Sequence, residues 1–240
     1  MSNFFKIYYA TPNKNETGYV STQVGISNKQ DDYNYTSPNS YRNTSFFLKK
    51  IEHDVEFPIF TLLKGAKLTD LMCCEGTNSD ILIISQKFLF LLKSFNIDDY
   101  QSFNIKIRTL NGIQDYYFFY MYAQDKESEY INWNDTVFRL KPYLGEYENE
   151  HLLKFENYES FYDEDMKLFN TPKQSKVIKV SKLKLKTEII NKDMFSFGVL
   201  SSGFFISEKL RREIEKQGIT GIRFRDADGL REPSYSPEMD

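Results

Sequence analysis

A chain of 240 residues with a formal charge of −3 and 16% aromatic residues (21 Phe, 17 Tyr, one Trp) is long enough to bury a core without disulfide or metal staples. Its Phe and Tyr content offsets the ordering entropy that keeps polar chains disordered, and its near-neutral charge argues against a general nucleic-acid binder, whose phosphate contacts need a basic surplus. The two cysteines, Cys73 and Cys74, are adjacent, an arrangement that strains any bridge between them, so no disulfide framework is expected. Met1 to Lys6 shows no basic region ahead of an apolar run. The longest apolar stretch, Ile81 to Leu92, is broken by Ser85, Gln86 and Lys87. Neither a signal peptide nor a membrane span is expected, and a soluble cytoplasmic protein is the simplest reading.

In chain order, residues 4–10 read as an opening strand and residues 11–46, rich in Asn, Ser, Thr, Gly and Tyr, as loops and short strands. Leu68 to Met72 reads as a short strand or turn. Ile81 to Ile84 is a buried strand by its aliphatic, largely β-branched run. In the following segment Phe88, Leu91, Leu92 and Phe95 share one helical face, Ser85 stands at the N-cap, and Asn96 ends the helix in a left-handed conformation. Asn104 to Arg108 and Asp115 to Tyr122 are strands, with Asn111-Gly112 as the two-residue turn between them. Tyr130 to Trp133 and Thr136 to Leu140 read as short strands. Along residues 176–190, Ile178 and Val180 share one parity and Leu183 and Leu185 the other, which places a bulge or break near Ser181.

The strand–cap–helix grammar of residues 81–97 recurs near the C-terminus. Phe204 to Ile206 is a strand, Ser207 an N-cap, Glu208 to Gln217 a helix with Leu210 and Ile214 inward, and Gly218 its C-cap. The shift of 122 residues that takes Ser85 to Ser207 also takes Ile97 to Ile219, and Ser-x-Lys opens both helices. The expected class is therefore α+β, with mixed or antiparallel sheets carrying two strand–Ser-cap–helix units. The expected organisation is a strand- and loop-rich region 1–75, an α+β core 76–226 and a frayed polar tail 227–240, together one compact unit.

Chemistry-bearing motifs are sparse. His53 and His151 have no metal-ligand spacing to each other or to the cysteines, no phosphate-binding glycine loop is present, and Asp226 to Gly229 lacks the ligands of a calcium loop; neither metal nor cofactor is expected. A cysteine enzyme using Cys73 or Cys74 with His53 is one alternative, and self-association through exposed tyrosines is another. The stronger feature is the acidic–aromatic segment 143–165. Tyr143, Glu146, Tyr147, Glu148, Glu150, Glu156, Tyr158, Glu159, Tyr162, Asp163 and Glu164 are its candidate partner-binding residues. Tyrosine offers rigid contact area with a polar tip, and carboxylates around it steer a basic partner. The plainer alternative is a solvated helix or loop whose aromatics point into the core. Lys173, Lys176, Lys179, Lys182, Lys184 and Lys186 form a ladder that reads as protection of a sheet edge rather than a nucleic-acid platform.

The block Asp80 to Lys87, its apolar helix, a tyrosine-rich strand, Phe205 to Leu210 and the run Gln217-Gly218-Ile219-Thr220-Gly221-Ile222-Arg223-Phe224 together resemble bacterial immunity proteins of polymorphic toxin systems, a large family long catalogued as a domain of unknown function. The segments Ile131 to Trp133 and Thr136 to Phe138 also fall where that family has an equivalent. The resemblance covers residues 80–224, is carried chiefly by the C-terminal motif, and brings no catalytic residues. It implies a cytoplasmic binder of a cognate toxin domain that acts by protein–protein contact, without membrane or nucleic acid. The acidic segment adds the expectation that the toxin domain is basic.

Overall fold

The computed structural model describes residues 4–11, 13–18, 22–26, 33–46, 49–74, 81–122, 129–142, 151–171, 176–197 and 203–228. The first half runs β1 (Phe4–Tyr9), α1 (Lys14–Thr17), β2 (Val24–Ile26), β3 (Phe60–Leu62), β4 (Leu71–Met72), β5 (Ile81–Ile84), α2 (Gln86–Lys93), β6 (Tyr100–Thr109) and β7 (Gly112–Met121). The second runs β8 (Val137–Pro142), β9 (His151–Leu153), α3 (Tyr158–Phe169), β10 (Lys176–Lys182), β11 (Met194–Ser196), β12 (Phe204–Ser207), α4 (Glu208–Lys216) and β13 (Ile222–Asp226). Among the described residues three sheets form, in the orders β2-β3-β6-β7-β5-β4, β11-β12-β1-β13 and β10-β8-β9. Among the described residues every pairing between these strands is antiparallel except β3 with β6, so the class is α+β with mixed and antiparallel sheets.

The two strand–cap–helix units sit between the larger sheets. Leu82 and Ile84 of β5, Phe119 and Met121 of β7, and Phe204 and Ile206 of β12 face one core with Phe88, Leu92, Leu210 and Ile214 of the helices. The alternate residues face outward into two further cores. Ile81, Ile83, Phe118 and Tyr120 meet Phe46 and Phe60, and Phe205, Phe195 and Phe4 meet Trp133, Phe138 and Phe161. Both central sheets are thus covered on both faces, which is why β5 and β7 are apolar at successive positions rather than alternating.

The repeat extends beyond the two units. Strand order β4-β5-β7-β6 matches β11-β12-β1-β13, each antiparallel throughout. The strand completing the first set follows its unit through a hairpin; the one completing the second opens the chain. β1 accordingly ties the N-terminal region into the C-terminal sheet.

Each unit is locked by an aspartate. Asp70 precedes β4; its Oδ1 accepts from Ser85 Oγ (2.6 Å) and its carbonyl from Ser85 N–H (2.8 Å). Asp193 precedes β11 and does the same for Ser207 (2.8 and 2.9 Å). Both serines then accept the N–H three residues on, Phe88 and Leu210 (3.1 and 3.2 Å). The second carboxylate oxygen of each aspartate reaches the other unit. Asp70 Oδ2 accepts from Thr220 N–H (2.9 Å) and Thr220 Oγ1 (3.0 Å), and Asp193 Oδ2 accepts from Asn96 N–H (3.2 Å). The lysine of each Ser-x-Lys crosses likewise: Lys87 Nζ donates to the Gly218 carbonyl (3.1 Å), and Lys209 lies over the Phe95 ring at 5.0 Å.

The helix ends correct one expectation. Helix α2 stops at Lys93 with Ser94 as its C-cap in a right-handed conformation (φ −87°, ψ 0°), and Ser94 Oγ donates to the Leu91 carbonyl at 2.7 Å. The serine hydroxyl adds to the bond that Ser94 N–H makes to the same carbonyl (3.0 Å), and Asn96, beyond the helix, donates its backbone N–H to Asp193 and its side-chain amide to the Asn191 carbonyl (2.8 Å). Helix α4 ends as expected within one residue. After the Gln217 cap, Gly218 takes φ +60°, and the bonds Gly218 N–H to Glu215 (3.1 Å) and Ile219 N–H to Ile214 (3.1 Å) form a Schellman motif.

Three further expectations shift. Thr109 pairs with Gly112, so the hairpin loop is Leu110-Asn111 rather than Asn111-Gly112. Tyr130 to Trp133 is not a strand but a turn with one bridge, Ile131 to Leu185. Ala227 is buried and donates to the Phe4 carbonyl (3.0 Å), so the first residue of the tail expected to fray over 227–240 is held in place, and residues 229–240 lie outside the described residues. The break expected near Ser181 is observed as a register shift between Val180 and Lys182. No helix among the described residues is long and apolar enough to cross a membrane.

Gly221 allows the loop after α4 to lie against β4. It has φ +86°, and a Cβ there would stand 2.2 Å from the Leu71 carbonyl oxygen and 2.7 Å from Thr69 Oγ1. Gly221→Ala is expected to destabilise the fold by more than about 1 kcal/mol, well beyond an ordinary surface substitution, measured as a lowered urea midpoint. An unchanged midpoint would show that this contact is not a constraint.

Candidate functional site

Helix α3 carries the described part of the acidic–aromatic segment. Asn157 caps it: its side chain accepts from Ser160 N–H (2.9 Å), and Ser160 Oγ accepts in return from Asn157 N–H (3.3 Å). Phe161 is buried against Trp133, Phe138 and Phe155, and this face anchors the helix over the third sheet. An adjoining face points outward. Tyr162 and Phe169, seven residues apart, are 44% and 63% exposed. Tyr158 lies between the two environments, half-buried, with its ring 6.3 Å from Trp133 and 5.9 Å from Tyr162.

The expected partner-binding residues divide accordingly. Tyr143, Glu146, Tyr147, Glu148 and Glu150 lie outside the described residues. Glu156, Glu159 and Asp163 are exposed and form no ion pair among the described residues, whereas Glu164 pairs with Lys167 at 3.1 Å. Asp165 is pushed above the usual carboxylate range by burial, with Lys179 opposing. Tyr162 reaches the surface and Tyr158 is half-buried, whereas Phe155 and Phe161 belong to the core.

Beside the start of α3 lies an open recess of ≈ 430 Å³ lined by Glu129, Trp133, Asn157, Tyr158, Glu159 and Lys186. Its far wall is set by a backbone clip: Asn132 N–H donates to the Lys184 carbonyl (2.9 Å) and Lys186 N–H to the Tyr130 carbonyl (2.8 Å). Trp133 is stacked on Phe138 (5.8 Å, 16°), which fixes the indole as part of the wall. Sequence reasoning did not single out Glu129 or Trp133 for binding, and placed Lys186 in the lysine ladder. The only local signal was the unique Trp beside Asn132 and Asp135.

The other candidates fall elsewhere. β10 is an edge strand with Lys176, Lys179 and Lys182 exposed, and Lys184 pairs with Asp228 at 2.7 Å; Lys173 lies outside the described residues. His53 and His151 are exposed, with His53 3.4 Å from Thr44 Oγ1. No metal-binding group of His, Cys, Asp and Glu occurs among the described residues. Ser85, Ser207 and Gly218, together with Thr220 and Gly221 of the motif that carries the family resemblance, are engaged in caps and clasps that position the helices.

No family model matches the chain, and no curated protein sequence matches it.

Cys74 is buried, and burial pushes the Cys73 thiol up, with a Thr22 hydrogen bond opposing. This is the reverse of an activated nucleophile. Iodoacetamide at neutral pH is expected to label the folded protein more slowly than free cysteine, and to label it readily in urea. Rapid labelling of the folded chain would favour thiol chemistry instead.

Proposed function

We propose that the chain is an immunity protein that binds a cognate antibacterial toxin domain and neutralises it by protein–protein contact. The observation that carries the reading is the outer face of α3. Tyr158, Tyr162 and Phe169 present aromatic area to solvent beside Glu156, Glu159 and Asp163. Aromatic side chains in the middle of an interface supply most of its binding energy, and rim charges set partner choice and encounter rate. The surface is acidic, so the toxin domain is taken to be basic on its complementary face.

The test begins with capture of the partner from the native cell and expression of its C-terminal domain in a bacterial host. Growth arrest that co-expression of this chain relieves is the expected result. A domain that arrests growth equally with and without the chain overturns the reading. In the purified pair, Glu156→Lys with Glu159→Lys and Asp163→Lys is expected to slow association about tenfold at low salt and to flatten its salt dependence. Unchanged kinetics would remove α3 from the interface.

A further inference from the structure

We infer that the open edge of β13 takes an extended, acidic segment of a partner protein as an added strand. This goes beyond the toxin-binding reading, because it uses no residue of α3.

β13 is the last strand of its sheet among the described residues. Ala10 N–H donates to the Gly221 carbonyl (2.9 Å) and Ala227 N–H to the Phe4 carbonyl (3.0 Å), in register with the β1 pairing. The odd-numbered residues of β13 therefore turn their N–H and C=O to β1. Ile222 and Phe224 turn theirs to the edge, where they make no hydrogen bond among the described residues. Their side chains pack on the central core. Arg223 and Arg225 project from the other face; both are exposed, and neither forms an ion pair among the described residues. The Arg225 guanidinium lies over the Tyr8 ring at 5.0 Å. The exposed carboxylate of Asp226 is on the face of Ile222 and Phe224, where it accepts from Asp228 N–H (2.9 Å).

The first half of the molecule shows what the corresponding strand receives. Ile84 pairs with Tyr117, which pairs with Asn104, just as Ile206 pairs with Phe5, which pairs with Asp226. The shift of 122 residues thus carries Gln101 to Arg223 and Phe103 to Arg225. On the first sheet the chain covers these positions itself. The Gln101 side chain accepts from Ile51 N–H (2.7 Å) and donates to the Ile51 carbonyl (2.9 Å), and Phe103 packs on Phe46 and Phe57. Farther along, β3 pairs with Ile107 and Arg108. On the second sheet the same two positions are exposed arginines.

Charge identifies the occupant. A second copy paired about Phe224 would set Arg223 against another Arg225, a like-charge contact that disfavours self-pairing. Carboxylates in the same places are attracted. In an antiparallel addition Arg223 and Arg225 take the non-hydrogen-bonded positions, where facing Cα atoms approach to about 4.5 Å. Residues on one face of a strand recur about every 7 Å. The fitting segment therefore carries two carboxylates, at i and i+2, flanking one residue that pairs with Phe224.

The probe is the capped peptide acetyl-Thr-Glu-Val-Glu-Thr-amide, titrated at low salt into the isotope-labelled full chain and followed by the backbone amide resonances. Saturable shifts that are largest over Ile222–Asp226, with a Kd of about 0.1–1 mM, are expected. Glutamine in place of both glutamates is expected to weaken binding about three- to tenfold, and so is Arg223→Gln with Arg225→Gln. N-methylation of the central valine, which removes the N–H directed at β13, is expected to weaken it about tenfold. Arg223→Lys with Arg225→Lys is expected to keep most of the affinity, and circular dichroism checks that each variant is folded. The glutamine peptide tests the same charges without altering the protein. No saturation up to about 10 mM, shifts centred away from β13, or equal binding of the glutamine or N-methylated peptide overturns the inference.

Discussion

Two carboxylates determine how the halves of this protein meet. Asp70 and Asp193 each hold the N-cap serine of their own unit with one oxygen and the loop leaving the other unit's helix with the second. Because the clasps are reciprocal, neither helix can change its position without breaking bonds in both units. Hydrogen bonds to ionised groups are worth about 1.5–3 kcal/mol, more than neutral ones, and leaving one unmade costs the desolvation of the charge. The clasps therefore fix the spacing of the central core, in which the helices and both large sheets share Phe88, Phe119, Phe204 and Leu210. The Gly-Ile-Thr-Gly run after α4 has its explanation here. Gly218 turns the chain, Ile219 enters the core, Thr220 binds Asp70, and Gly221 permits the approach to Leu71.

The two halves agree in their inner layer and diverge in their outer ones. Behind the first sheet stand Phe46 and Phe57 from the segment before β3, meeting Phe118 and Tyr120. Behind the second stand the three-stranded sheet and α3, meeting Phe195 and Phe205. The shared layer is built from caps, clasps and aliphatic packing and has little freedom to vary. The covering layers have only to bury an apolar sheet face, and their solvent sides are unconstrained by the core. The α3 face proposed to meet the toxin domain lies in such a layer.

The parts legible in the sequence were those governed by local rules. The Ser caps, the helical spacing of Phe88, Leu91 and Leu92, and the glycine after α4 each act within a few residues, and each was found. So was the irregularity at Ser181, because a change of parity along a strand leaves no other geometry. The clasp partners were not legible: nothing near Asp70 marks Thr220, 150 residues away, as its ligand. Asn96 was misread for the same reason, since its nearest demand is on Asp193 rather than on its own helix. Tyr130 to Trp133 has strand-forming residues, but the clip to Lys184 and Lys186 holds it in a turn, a tertiary override of propensity. The recess draws its residues from three separate segments, so no spacing could reveal it. The acidity of α3, by contrast, was visible because it is a matter of composition alone.

The charges on this face divide into two physical roles. Glu156, just before the Asn157 cap, and Asp163 on α3 are exposed to water, where a salt atmosphere screens them beyond about 8–10 Å. In the proposed toxin binding they would act on the partner in approach, and their worth would fall as ionic strength rises. Glu129 and Glu159 border the recess beside the start of α3, from which the toxin domain of the proposed reading would displace water. There the same unit charge interacts more strongly and is screened less, and its effect falls on dissociation. Glu159 belongs to both sets, since it is exposed on the helix and also lines the recess. In the proposed toxin binding it would carry long-range attraction into short-range contact, so its removal is the change expected to touch both rates.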